Sequence, residues 1–179
     1  MLGAAHSCAA TMLAAKNCRP KSALRTDPAD EVVFNGSSIL DLELIFEQTD
    51  WWEQLMANVV TETDIPATLR HQGVDYPDVG VRFKGNSSFR APGIKKPFNI
   101  DMNSFVPGQR FFGLKALNLN NSFKDPTMMR ERIAYTILAA HGVPCSRCNH
   151  CRLTINGQLW GLYVLVEQVD RDLLEHAGA

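Results

Sequence analysis

The chain has 179 residues, 45% of them hydrophobic and 21% charged, a balance typical of one globular fold with enough length to bury a core. Its 18 basic and 19 acidic residues leave a net charge of -1, so no global field draws it to nucleic acid and any anion site must be local. No apolar run approaches the roughly 18 residues of a membrane span, which argues against an integral membrane protein.

Residues 1–30 are alanine-rich and poorly patterned. They contain the small and apolar residues of a signal peptide, but His6 and Ser7 interrupt the apolar stretch and no basic residue precedes it. A disordered or signal-like leader is expected there, or a start codon misplaced within a longer gene, followed by one domain over 31–179.

The stretch "ILDLELIFEQTDWWEQLMAN" opens with strict alternation, Leu40, Leu42, Leu44 and Phe46 against Asp41 and Glu43, which predicts a half-buried strand. Thr49 or Asp50 then caps a short helix whose Trp51 and Trp52 read as packing anchors. "IPATLRHQG", "VDYPDVGVRFKG" and "IKKPFNIDMN" follow as consecutive antiparallel strands separated by glycine turns. "FFGLKALNLNNSFKDPTMMRERIAYTILAAHGVP" supplies a short apolar strand, an Asn-rich loop and a strong helix. Asp125 is its expected N-cap, Pro126 its first residue, and Met129, Ile133, Ile137 and Ala140 its buried stripe. The last block reads as a strand, an Asn156-Gly157 type I′ turn, a longer apolar strand, and a polar turn into another helix.

Five cysteines make an odd count, and Cys8 and Cys18 fall in the leader. Cys145, Cys148 and Cys151, with His150 among them, superficially suggest zinc or an iron-sulfur cluster, but a fourth ligand is lacking and core filling is the better reading.

Several strands, one helix and two further strands form the element order of a protein-kinase small lobe. The expected fold class is therefore α+β: an antiparallel sheet with one major packed helix, the large lobe missing. In such a lobe a small-residue turn lets backbone amides approach phosphate, a lysine balances its charge, a helix glutamate holds the lysine, and backbone after the fifth strand receives adenine. Arg82 and Lys84 emerge on one strand face just before Gly85, Asn86, Ser87 and Ser88, although an ordinary hairpin with a solvated face reads the same way. Lys96 shares its strand face with Phe98 and Ile100, while Lys95 shares the other with Asn99; an inward cation needs an anion, and Glu131 is the candidate. The other reading of Glu131 is a surface pair with Arg130 or Arg132. Glu167 and Val169 fall at the adenine edge.

The blocks "VGVRFKGNSSF", "KKPFNID", "FFGLKALNLNN", "DPTMMRERIAY", "HGVP" and "LTINGQLWGLYVLVEQVDRDLL", in this order, resemble the spore coat protein H (CotH) family of atypical, secreted or spore-associated protein kinases, over about residues 37 to 175. The resemblance implies a kinase-like fold that binds ATP with Mg²⁺ and transfers the γ-phosphate to Ser or Thr of a protein substrate such as a coat or surface protein. It implies an extracytoplasmic or spore-associated location. By position it implies a nucleotide-binding set of Arg82, Lys84, Gly85, Asn86, Ser87, Ser88, Lys96, Glu131, Glu167 and Val169. Asn118, Asn120, Asn121 and Asp170 also fall within matched blocks.

The cysteines of "PCSRCNHC" depart from the family's small or apolar residues. The residues that orient the attacking hydroxyl and hold Mg²⁺ lie further along in the family, and Asp170 and Asp172 come too early for that work. The expectation is thus an N-terminal portion, inactive in isolation, with Phe98, Ile100 and the Val164 to Val166 strand facing solvent. The alternative is a non-catalytic spore-coat or cell-surface interaction module on the same fold, binding through loops such as "DMNSFVPGQR".

Overall fold

The computed structural model of the chain describes residues 32–169. The expected leader, Cys8, Cys18, Asp170, Asp172 and the helix after the last strand lie outside them. Alternation in β1 (Leu40–Ile45) turns Leu40, Leu42 and Leu44 to one buried side. The helix α1 (Trp51–Ala57) follows, with Leu55 fully buried; Asp50 stands at its N-cap but accepts from the Gln54 side chain rather than from a helix amide. Next come β2 (Ile65–His71), β3 (Val74–Phe83), a single helical turn α2 (Ser87–Arg90), β4 (Phe98–Asp101) and β5 (Ala116–Asn120). Helix α3 (Arg130–Ala140) leads to the hairpin β6 (Cys148–Ile155) and β7 (Gln158–Glu167).

Strands β1 to β5 pair in sequence, each antiparallel to the next. β7 then pairs with β5 and with β6, and β6 runs parallel to β1, so the sheet closes into a seven-stranded barrel in the order β1-β2-β3-β4-β5-β7-β6. Asn156 and Gly157 both have positive φ, 48° and 78°, the backbone of the expected type I′ turn. The turn also fastens the closure: Asn156 Oδ1 accepts from the Phe46 amide at 2.8 Å, and the Asn156 amide donates to the Leu44 carbonyl.

Closure overturns the expected kinase-like small lobe with a sheet and one packed helix. The fold is mostly β, and its core is the barrel interior, filled by residues such as Leu42, Leu69, Val81, Phe98, Leu119 and Leu165. Trp51 stacks on Phe46, and Trp52 meets Phe83 edge-on, so both tryptophans do pack as anchors against the core. Phe98 and Ile100 are fully buried, and Val164 to Val166 are buried as well, contrary to the expected exposed surface. The parallel β1/β6 ladder leaves the sheet without an open edge.

Helix α3 departs in a second way. It begins at Arg130, not Pro126, because Asp125 accepts from the Thr127 hydroxyl and from the Arg130 amide, closing a turn ahead of the helix. None of its residues is buried, and Ile133 and Ile137 are 51% and 53% exposed, so the apolar stripe faces away from the barrel. The helix is attached through polar groups instead: Glu131 accepts from Asn120, and Arg132 donates to the Gly36 carbonyl at 2.7 Å.

The barrel interior holds the buried apolar cluster. Phe98 is fully buried and lies 5.1 Å from the Phe83 ring and 6.0 Å from the Tyr163 ring, between centroids. Phe98→Ala is expected to cost about 3–5 kcal/mol in a urea unfolding titration.

Candidate functional site

Because alternate residues of a barrel strand point outward, β3, β4 and β5 present a polar row on the outer face: Arg82 opposite Asn99, and Asn99 opposite Asn118. Lys84, directly after β3, reaches along this face. Its ammonium donates to Asn118 Oδ1 at 2.8 Å and to Asn120 Oδ1 at 3.2 Å. Asn120 in turn donates to both Glu131 oxygens, at 3.0 and 3.2 Å. Asn118 is held from both sides, accepting from Asn99 at 3.1 Å and donating to Gln168 at 2.6 Å. The result is a relay from strand to helix in which a cation touches neutral amides, with its carboxylate one residue away.

Burial pushes the Lys84 pKa below the usual 10.5; nearby Arg82 adds to that shift and Glu131 opposes it. Around Lys84 lies an open cleft of about 380 Å³. Arg82, Gly85, Asn118 and Asn120 contribute polar lining, Glu62 adds a carboxylate at the rim, and Tyr135, Val166 and Val169 contribute ring and apolar surface.

The expected site residues divide across this geometry. Arg82, Lys84, Gly85, Glu167 and Val169 line the cleft, and Glu131 faces Lys84 through Asn120 rather than facing Lys96. Arg82 is already paired with Asp64 at 2.8 Å. Glu167 is buried against Arg147, with its carboxylate accepting from the Arg147 backbone amide, Nε and Nη2. Asn86 and Ser87 line a neighbouring depression of about 530 Å³ with Arg90, Ala91, Pro92 and Phe123. That hollow's only lining charge is Arg90, so the cleft at Lys84 carries more chemistry.

Gly85 has φ 77°, and a Cβ there would meet Ser88 Oγ, so glycine makes this turn at least cost. β4 starts at Phe98, so strand parity does not reach the two lysines before it. Lys95 places its ammonium 5.0 Å above the Tyr163 ring, and Lys96 donates to the carbonyls of Phe89 and Ala91. Asn99 and Gln168 complete the site without having been singled out from sequence. The available signal was outward parity: Asn99 alternates with Phe98 and Ile100, as Asn118 and Asn120 do with Leu117 and Leu119.

Cys145, Cys148 and Cys151 are free thiols. Cys151 fills the barrel core, where burial drives its pKa far up, and burial pushes Cys148 up to about 11. Among the described residues no group of three or more His, Cys, Asp or Glu side chains is placed to hold a metal. Nor is any helix among them long and apolar enough to cross a membrane.

Fold and site together define a closed β-barrel domain with an amide-lined cleft around Lys84 on its outer wall. Residues 81–179 match the family model described as CotH kinase protein, and the chain belongs to that family. The chain is 24% identical over 137 residues to the inner spore coat protein H of Bacillus subtilis (strain 168), covering 75% of this chain and 36% of that protein. It is 40% identical over 55 residues to the inner spore coat protein H-like protein of the same organism, covering 31% of this chain and 18% of that protein. The chain therefore spans little more than a third of the length of one curated relative and less than a fifth of the other.

Proposed function

We propose that this chain is the nucleotide-binding part of a spore-associated protein kinase of the CotH type, and that the cleft at Lys84 receives the phosphates of ATP. One observation carries the reading: the half-buried Lys84 ammonium has neutral amide oxygens as its direct partners, and the Glu131 carboxylate that acts on it is held at one remove by Asn120. A desolvated cation without a direct anion gains most from an anionic ligand. The side chains fit the triphosphate, with Lys84 as the principal contact and Asn118 and Asn120 as its orienters. Tyr135, Val166 and Val169 offer ring and apolar surface to the base.

The described residues do not fit Mg²⁺ in the same way, since they lack a cluster of three or more carboxylate, His or Cys side chains. In a complete protein the bound ATP would supply the γ-phosphate for transfer to Ser or Thr of a coat or surface protein. The spore coat names of the two relatives support a spore-associated setting. A second reading, a non-catalytic interaction module, is favoured by the exposed Ile133 and Ile137 of α3.

Calorimetric titration with MgATP tests the first reading. Saturable binding is expected near neutral pH, and a folded chain that binds none would sink it. Lys84 should also leave a pH signature. Its folded pKa lies below the unfolded 10.5, so the ammonium is lost earlier on the alkaline side than from an exposed lysine, and ATP affinity should fall before pH 10.5. Stability should move the opposite way. Between the folded pKa and 10.5 the unfolded chain holds more protons, so this residue's contribution rises with pH across that window.

A further inference from the structure

The segment from Gly85 to Pro97 joins β3 to β4, and its only helix, α2, is a single turn with no buried residue. A helix this short does not persist on its own, since nucleation costs more than one or two backbone hydrogen bonds return. Its last carbonyls also have no partners within the helix. Two side chains from outside the turn provide them. Lys96 donates to the Phe89 carbonyl at 2.9 Å and to the Ala91 carbonyl at 2.6 Å, with its ammonium 5.2 Å from the centre of the Phe89 ring. Asn121 donates to the Ser88 carbonyl at 3.1 Å and to the Lys95 carbonyl at 2.9 Å. A cation at the carbonyl end of a helical turn is also favourably placed for the peptide dipoles.

Asn121 directly follows Asn120, the residue that links Lys84 to Glu131. At the other end of the segment the Lys84 amide donates to the Pro97 carbonyl, and the Tyr163 hydroxyl donates to the Lys96 carbonyl. The Asn120-Asn121 pair therefore holds both the cleft's cation and the segment that begins at Lys84.

We infer that Lys96 and Asn121 are positioning residues for the nucleotide cleft: they hold the Ser87–Arg90 turn by its carbonyls, fix Lys84 and Gly85 at the cleft edge, and do not touch the ligand. This rests on the proposed nucleotide reading. Lys96 thus differs in kind from Lys84, although both lie in the lysine blocks of the sequence.

The test compares the unaltered 179-residue chain with Lys96→Met, Lys96→Arg, Asn121→Ala and Lys84→Met. Amide hydrogen exchange is followed without ligand, and MgATP and adenosine are titrated at two salt concentrations. Lys96→Met and Asn121→Ala should each speed exchange over residues 88–91 and weaken MgATP about tenfold, with adenosine affinity and the salt slope for MgATP unchanged. Lys96→Arg should restore both, because a guanidinium can donate to the same two carbonyls. Lys84→Met should leave exchange alone and flatten the salt slope.

The inference is overturned if Lys96→Met loses MgATP with exchange unchanged, which makes Lys96 a direct contact. Faster exchange with unaltered MgATP affinity overturns it equally, because the clamp would then be structural only. If the unaltered chain binds no MgATP, the nucleotide reading and this role fall together, while the exchange data still report whether the turn is held. Asn121→Ala keeps the question open to measurement if Lys96→Met does not fold.

Discussion

Lys84→Met is expected to weaken MgATP binding about a hundredfold while the barrel stays folded. The ammonium is the cleft's principal cation, since Arg82 is engaged by Asp64 at 2.8 Å. Methionine keeps most of the stem's volume and removes a half-buried charge whose desolvation already disfavours it. The unfolding midpoint should therefore stay within about 1 kcal/mol of the parent, with the loss of Glu131's nearby cation working against the gain. Calorimetry and urea unfolding on the same sample separate the two effects. A variant that binds MgATP as well as the parent would move the phosphate site elsewhere.

Glu167→Ala should behave in the opposite way, costing about 3 kcal/mol or more of stability with a smaller direct effect on ligand. The Glu167 side chain is only 8% exposed and accepts from Arg147 through its backbone amide at 3.1 Å, Nε at 3.0 Å and Nη2 at 2.6 Å. The Glu167 amide also donates to the Arg147 carbonyl, so the pair joins the end of β7 to the entry of β6. Truncation leaves the arginine charge without its carboxylate in a partly buried position. Thermal or urea unfolding checks the stability loss. If instead stability is unchanged and MgATP binding disappears, Glu167 belongs to the ligand and not to the frame.

These two residues show how much of the site could be read from sequence. Lys84 and Glu167 both fall in short blocks that pointed to a nucleotide site, and both line one cleft. Their roles diverge because of their partners, and the partners come from far along the chain: Asn118 and Asn120 for Lys84, Arg147 for Glu167. Lys96 is the sharper case. Alternation assigned it to an inward strand face, but the strand begins only at Phe98, and the side chain turns to two carbonyls in the preceding turn. A residue just outside an element does not inherit its periodicity.

The sequence by itself determined the local elements of this protein. Alternation marked β1 as half-buried, glycine punctuation separated β2, β3 and β4, and Asn156-Gly157 set the hairpin turn, because each signal acts between residues close along the chain. Only the tertiary structure decided that the sheet closes, since the β1/β6 ladder pairs Leu40 with Cys151 across more than half the chain and leaves no mark in either strand's own pattern. Closure put Phe98 and Ile100 inside and left the Asn99–Asn118 row outside. It also decided which side of α3 meets the barrel: periodicity identified an apolar stripe, but the Asn120–Glu131 bond turned the helix's polar side to the wall.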